Sequence, residues 1–118
     1  MPYRIYLYIL TQMISTGKAE VFFDGKSVEI TLDSKTGKWL ISSSISSPKN
    51  QNRQIFKEFF PTSCKARFTS KSGYLFLGEN KILSFRQEFS YGNRYAIFRE
   101  MFSSYLKEAE DWRTIFSS

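Results

Sequence analysis

From Phe98 onward, apolar residues return at Phe102, Tyr105, Ala109, Trp112 and Phe116, in steps of four and three. That period places them on one stripe of an α-helix running from about Asn93 to Phe116. Glu108, Glu110 and Asp111 fall outside the stripe. So long a one-sided helix needs a broad apolar surface to lie on, and two strand-forming regions upstream supply one.

In "AEVFFDGKSVEITLD" two strands flank Asp24-Gly25. Asp-Gly suits a tight hairpin because both central positions take positive φ. Val28, Ile30 and Leu32 alternate with Glu29 and Thr31, giving one dry face and one wet face. A turn at Lys35 to Gly37 leads to a third strand, Trp39 to Ile45, with Trp39, Ile41 and Ile45 on one face. A second hairpin pairs "GYLFLG" with "KILSFRQEF" around Glu79-Asn80. There Leu83, Phe85 and Phe89 oppose Ser84, Arg86 and Glu88, and a weak strand piece lies near Ala66 to Thr69.

Two more helices complete the pattern. Pro2, then Tyr3, Tyr6, Leu7, Leu10, Met13 and Ile14, has helical spacing, with Gly17 as its stop. This helix is apolar on more than one face, which fits burial or docking to a partner. After the loop Ser46 to Asn52 comes "NRQIFKEFF", capped by Asn52 or Asn50 and ended by Pro61. Its Asn-Arg, Ile-Phe and basic-acidic steps recur in "NRYAIFREMF", Asn93 to Phe102. The expected fold is α+β, with helices on one antiparallel sheet in the order α-β-β-β-α-β-β-α. At 118 residues it forms a single domain, 1–118.

Composition narrows the function. The chain has no histidine and one cysteine, Cys64. It therefore lacks the commonest general base and zinc ligand, an internal disulfide and a cysteine-cluster metal site. Cys64 reads as an ordinary small residue. Glu108, Glu110 and Asp111 read as a solvated face rather than a cation site. "DGKS" lacks the upstream glycine and following helix of a phosphate loop. No enzyme activity, metal or cofactor is expected. The apolar run Ile5 to Leu10 is too short for a signal peptide, and no stretch spans a bilayer. A reduced cytoplasmic setting without membrane association is expected. The net charge of +6 and pI of about 9.5 fit either an anionic partner or a solvated basic surface. An aromatic content of 18% is high enough to leave rings for an interface.

The repeated helix admits two readings. As a duplication, each half is a hairpin sheet and a helix, which resembles the PUR and Whirly single-strand nucleic-acid-binding folds. Positive charge would then track phosphates, and strand aromatics would stack bases. The halves do not match outside the helices, however, and "GKWLI" has no counterpart after Lys81.

The whole element order resembles the class I type III secretion chaperones, small bacterial proteins that hold effectors before export. "VFFDGKSVEITLD" resembles the opening hairpin of that family, and "GKWLISSSI" its third strand. "GYLFLGENKILSFRQEF" resembles the late hairpin, and "MFSSYLKEAEDWRTIF" the closing helix with its Trp near the end. The chain departs from the pattern in its basic charge and in a first helix that starts short. The resemblance implies a non-enzymatic homodimer that binds an unfolded segment of a secreted effector. It implies a dimer interface at Ile55, Phe56, Phe59 and Phe60. It implies partner contacts at Tyr6, Leu10, Met13, Phe22 and Trp39, residues that fit a core role equally well. A generic protein-interaction domain is the third reading.

Overall fold

The structure, a computed structural model, describes residues 2–47, 49, 52–60, 67–69, 73–78, 80–90 and 94–117, and only the backbone of 67–69. The elements are α1 (Tyr3–Thr16), β1 (Lys18–Phe23), β2 (Lys26–Leu32), β3 (Lys38–Ser46), α2 (Arg53–Phe59), β4 (Arg67–Thr69), β5 (Tyr74–Leu77), β6 (Leu83–Ser90) and α3 (Tyr95–Ser117). The expected order is present. The weak strand piece becomes β4, a three-residue edge strand. Pro61, Cys64, Glu79, Asn50 and Asn93 lie outside the described residues.

Local chemistry sets the punctuation. Gly17 closes α1 at φ 74° and donates its N–H to the Met13 carbonyl at 2.9 Å, a left-handed stop that glycine adopts without strain. Asp24 and Gly25 both take positive φ, 51° and 76°, as the primed hairpin turn requires. The Asn52 side chain accepts from the backbone N–H groups of Gln54 and Ile55, so Asn52 is the cap of α2.

All strand pairs are antiparallel, in the order β1-β2-β3-β6-β5-β4. Two three-stranded meanders meet along β3 and β6, with a register shift between Ser44 and Ser46. Each meander is followed by a helix, so the two look-alike helices hold equivalent places in the topology.

The dry faces of the strands form the core. Ile30, Ile41, Leu75, Leu83 and Phe85 are fully buried, as are Phe102, Tyr105 and Phe116 of α3. Phe85 and Tyr105 stack at 5.1 Å. The Tyr105 hydroxyl donates to the Phe85 carbonyl at 2.6 Å and shares a 2.7 Å hydrogen bond with the Ser43 hydroxyl. Burial pushes the Tyr105 phenol up, against the opposing pull of the Ser43 bond and of Arg113 and Arg86. Tyr105 thus stays a neutral hydroxyl that satisfies two buried groups.

The two repeat helices part company in their packing. α3 lies on the sheet, while the described rings of α2 meet α3: Phe59 packs on Trp112 at 5.6 Å and on Phe116 at 5.2 Å. The Asn52 N–H donates to the Phe116 carbonyl at 2.7 Å. The described rings of α2 thus reach the core through the C-terminal end of α3. Among the described residues, no helix is long and apolar enough to cross a membrane.

Candidate partner-binding surface

Helix α1 carries two apolar stripes. Tyr6, Ile9 and Met13 face inward and are buried. Tyr3, Leu7, Leu10 and Ile14 form a second stripe at the same spacing. On that side Tyr3 is 54% exposed, Leu7 44% and Ile14 74%, while Leu10 is half-buried. Tyr8 is also exposed. Tyr3 is steadied by an edge contact with Tyr95 at 4.9 Å.

The sheet ends beside this helix. β1 is an edge strand bonded to β2, and Phe22 on its wet face is 64% exposed. Leu32, whose Cβ lies near Gly17, is exposed as well. An edge strand offers backbone donors and acceptors to an added chain, and large exposed apolar side chains beside it offer anchors.

The five residues assigned to partner contact do not form one surface. Tyr6, Met13 and Trp39 are buried, at 8%, 5% and 4% exposure. Tyr6 packs on Tyr95 and Phe98, each at 5.1 Å, and Trp39 packs on Phe89 and Phe98. Their side chains hold α1 and β3 to α3. Leu10 and Phe22 reach the surface. Tyr3, Leu7 and Ile14, named above only for their helical spacing, join Leu10. Their signal was present in the three-and-four spacing of the second stripe.

Ile55, Phe56 and Phe59 on α2 are half-buried and pack against the core, while Phe60, just past the helix, is buried at 3%. Phe56 and Phe60 are in ring contact at 5.3 Å. The exposed side of α2 carries Arg53, Gln54, Lys57 and Glu58, and its apolar residues are only partly open to solvent.

The other face of the sheet is open and polar. Ser27, Ser42, Ser44 and Ser84 floor a shallow cavity of about 330 Å³, walled by Phe76, Arg86 and Ile82 among others. Next to it, Glu110 of α3 bonds Lys26 of β2 at 3.0 Å and Arg113 at 3.4 Å. The Lys26 hydrogen bond is the main reason the Glu110 carboxyl titrates below its usual range. Glu108 accepts from the Trp112 indole at 3.4 Å. Among the described residues no group of acidic, cysteine or histidine side chains is arranged to hold a metal.

No protein-family model matches the sequence, and no curated protein matches it. Among solved structures, a chain from the crystal structure of the ExsC–ExsE complex is similar, with a TM-score of 0.62. The likeness covers 98% of this chain and 95% of that one, at 10% identity. What is shared is the fold.

Proposed function

We propose that this chain is a non-enzymatic chaperone that binds, as a homodimer, an unfolded segment of a secreted effector protein. The observation that carries the proposal is the stripe of exposed Tyr3, Leu7 and Ile14 with half-buried Leu10 on a helix beside an open sheet edge. A chain that folded for itself alone would place polar residues there. In this reading an extended segment pairs with β1 and sets apolar side chains against α1 and Phe22. Buried Tyr6, Met13 and Trp39 keep α1 in place beneath it. The half-buried rings of α2 meet their symmetry mates across a two-fold axis. The fold likeness to a chain solved in complex with a second protein supports the reading.

The single-strand nucleic-acid reading needs several free strand aromatics. Trp39, Phe85 and Phe89 are buried, and Phe76 lies under the Arg86 guanidinium.

Two measurements test the proposal. Light scattering should give twice 13.9 kDa, stable to dilution and salt, and Phe56→Asp should yield a folded monomer. An array of overlapping short peptides from the exported proteins of the source organism should show bound spots that Ile14→Asp loses. A wild-type monomer, or an array without any bound peptide, would overturn it.

A further inference from the structure

We propose that the open face of the sheet is a trough that recognises acidic side chains in the bound segment, with Arg86 as the recognising group. This rests on the partner-binding reading and gives it a chemical preference.

The register builds the trough. Ser42 pairs with Arg86 and Ser44 with Ser84 across β3 and β6. Arg86 pairs with Tyr74 and Ser84 with Phe76 across β6 and β5. Side chains of paired residues share a face. Hydroxyls therefore floor the middle of the face, and the larger Phe76 and Arg86 stand at one end. The small floor leaves the cavity of about 330 Å³, open to solvent and crossing several strands.

Arg86 is held in place but not neutralised. Its guanidinium lies over the Phe76 ring at 4.1 Å, and its Nε donates to the Ser84 hydroxyl at 3.2 Å. Among the described residues, no carboxylate pairs with it. Stacking on one face and bonding at Nε fix the plane of the fork, leaving the terminal nitrogens unused. A fixed planar fork with free terminal donors suits a carboxylate, which it grips through two parallel hydrogen bonds. The other charge at the cavity wall is Glu29, which Lys18 engages at 3.5 Å.

A second cavity of about 310 Å³ continues the trough through the shared Ser27 and Ser44. Lys26, Arg113 and Ser46 line it. Here the surface already holds a carboxylate, that of Glu110, between Lys26 and Arg113. The buried Ser46 hydroxyl is without a hydrogen-bond partner among the described residues. Along the trough Glu110 engages Lys26 and Arg113, Lys18 engages Glu29, and Glu20 accepts from Ser27, so Arg86 is the cation that no carboxylate engages among the described residues, on a chain of net charge +6. A basic segment meets repulsion there and an acidic one does not. Carboxylate is favoured over nucleic acid because Arg86 already stacks on the Phe76 ring at the trough's end, the place a base would take.

The test uses a peptide captured on the array and a copy with every Asp and Glu changed to Asn and Gln, each fluorescently labelled. With the full-length wild-type protein the acidic peptide should bind roughly tenfold tighter than its amide copy, the scale of a charge-assisted contact. Arg86→Gln should erase that difference without changing the thermal melt or the solution mass. Arg86→Lys, which keeps the charge but loses the fork, should restore part of it. Ile14→Asp should weaken both peptides alike. If the two peptides bind equally, or their difference survives Arg86→Gln, the trough reading falls while the partner reading stands. If no peptide is captured, both fall. If a random single-stranded oligonucleotide binds more tightly than the peptide and loses that binding in Arg86→Gln, the site recognises phosphate and the proposal is overturned.

Discussion

Helices α2 and α3 open with nearly the same residues and end in different environments. "NRQIFKEFF" gives seven helical residues, none fully buried. "NRYAIFREMF" opens a helix of 23, with Phe98, Phe102, Tyr105, Ala109 and Phe116 buried along it. Local chemistry makes each of them a helix. The length of the apolar stripe decides which one covers the sheet, since only α3 repeats its four-and-three step far enough to span several strands. The shorter helix takes what remains, a seat on the C-terminal end of α3, with its apolar residues only half-buried. The same opening pattern therefore gives full burial in one place and half-burial in the other.

Paired truncations test this contrast. Phe102→Ala should destabilise the fold by about 3–5 kcal/mol in urea unfolding, because a fully buried ring leaves a cavity. Phe56→Ala on half-buried α2 should cost about 1 kcal/mol per folded chain. Equal losses would mean that α2 belongs to the same core as α3.

Tyr105→Phe comes next. It removes a hydroxyl that serves both Ser43 and the Phe85 carbonyl, so a loss of about 1–3 kcal/mol is expected at neutral pH. The folded-state pKa of Tyr105 is raised, so its contribution is full below 10.0, the ordinary tyrosine value, and declines as pH rises beyond it. Alkaline denaturation curves should fall more steeply for wild type than for Tyr105→Phe. Curves of equal slope would mean that the phenol is not buried in solution. Asn52→Ala should follow at about 1 kcal/mol, the loss of a cap that serves two N–H groups. The Asn52 tie to Phe116 runs through the backbone N–H, which alanine keeps, so a null effect would mean that the side-chain cap adds nothing to stability while the docking bond remains.

Much of this architecture is legible in the residues. Gly17 and Asp24-Gly25 announce a stop and a turn that demand positive φ. Alternation in β2, β3 and β6 assigns wet and dry faces down to Ser84 and Phe85, except at Leu32, which the end of β2 leaves exposed. The surface was less legible. Both stripes of α1 are apolar, and sequence alone does not say which one meets the sheet, so buried Tyr6 and Met13 were grouped with Leu10. Trp39 alternates with Ile41 and Ile45, which already marked it for the core. Arg86 reads as an ordinary wet-face residue. Its seat on Phe76 depends on the diagonal register between β5 and β6, which no local pattern encodes. Docking of α2 on α3 likewise joins segments far apart in the chain.

The smallest effect probes what ties α3 to the first meander. Lys26 of β2 reaches Glu110 across 84 positions of sequence, a tie for which no described counterpart exists on α2. The pair is exposed, so its contribution to stability is slight and screened by salt. Its signature is the direction of its pH dependence. Glu110 titrates below 4.5, the usual carboxylate value, chiefly because Lys26 donates to it. Its stabilisation is present above 4.5 and is lost as pH falls through the depressed value. Lys26→Met should lower urea midpoints slightly at neutral pH, and the gap from wild type should close in acid, where Glu110 is protonated. A gap that persists unchanged in acid would assign the effect to the lysine stem packing on the sheet instead. In that case α3 is held over the first meander by apolar packing alone, and the contrast with α2 reduces to the length of the buried stripe.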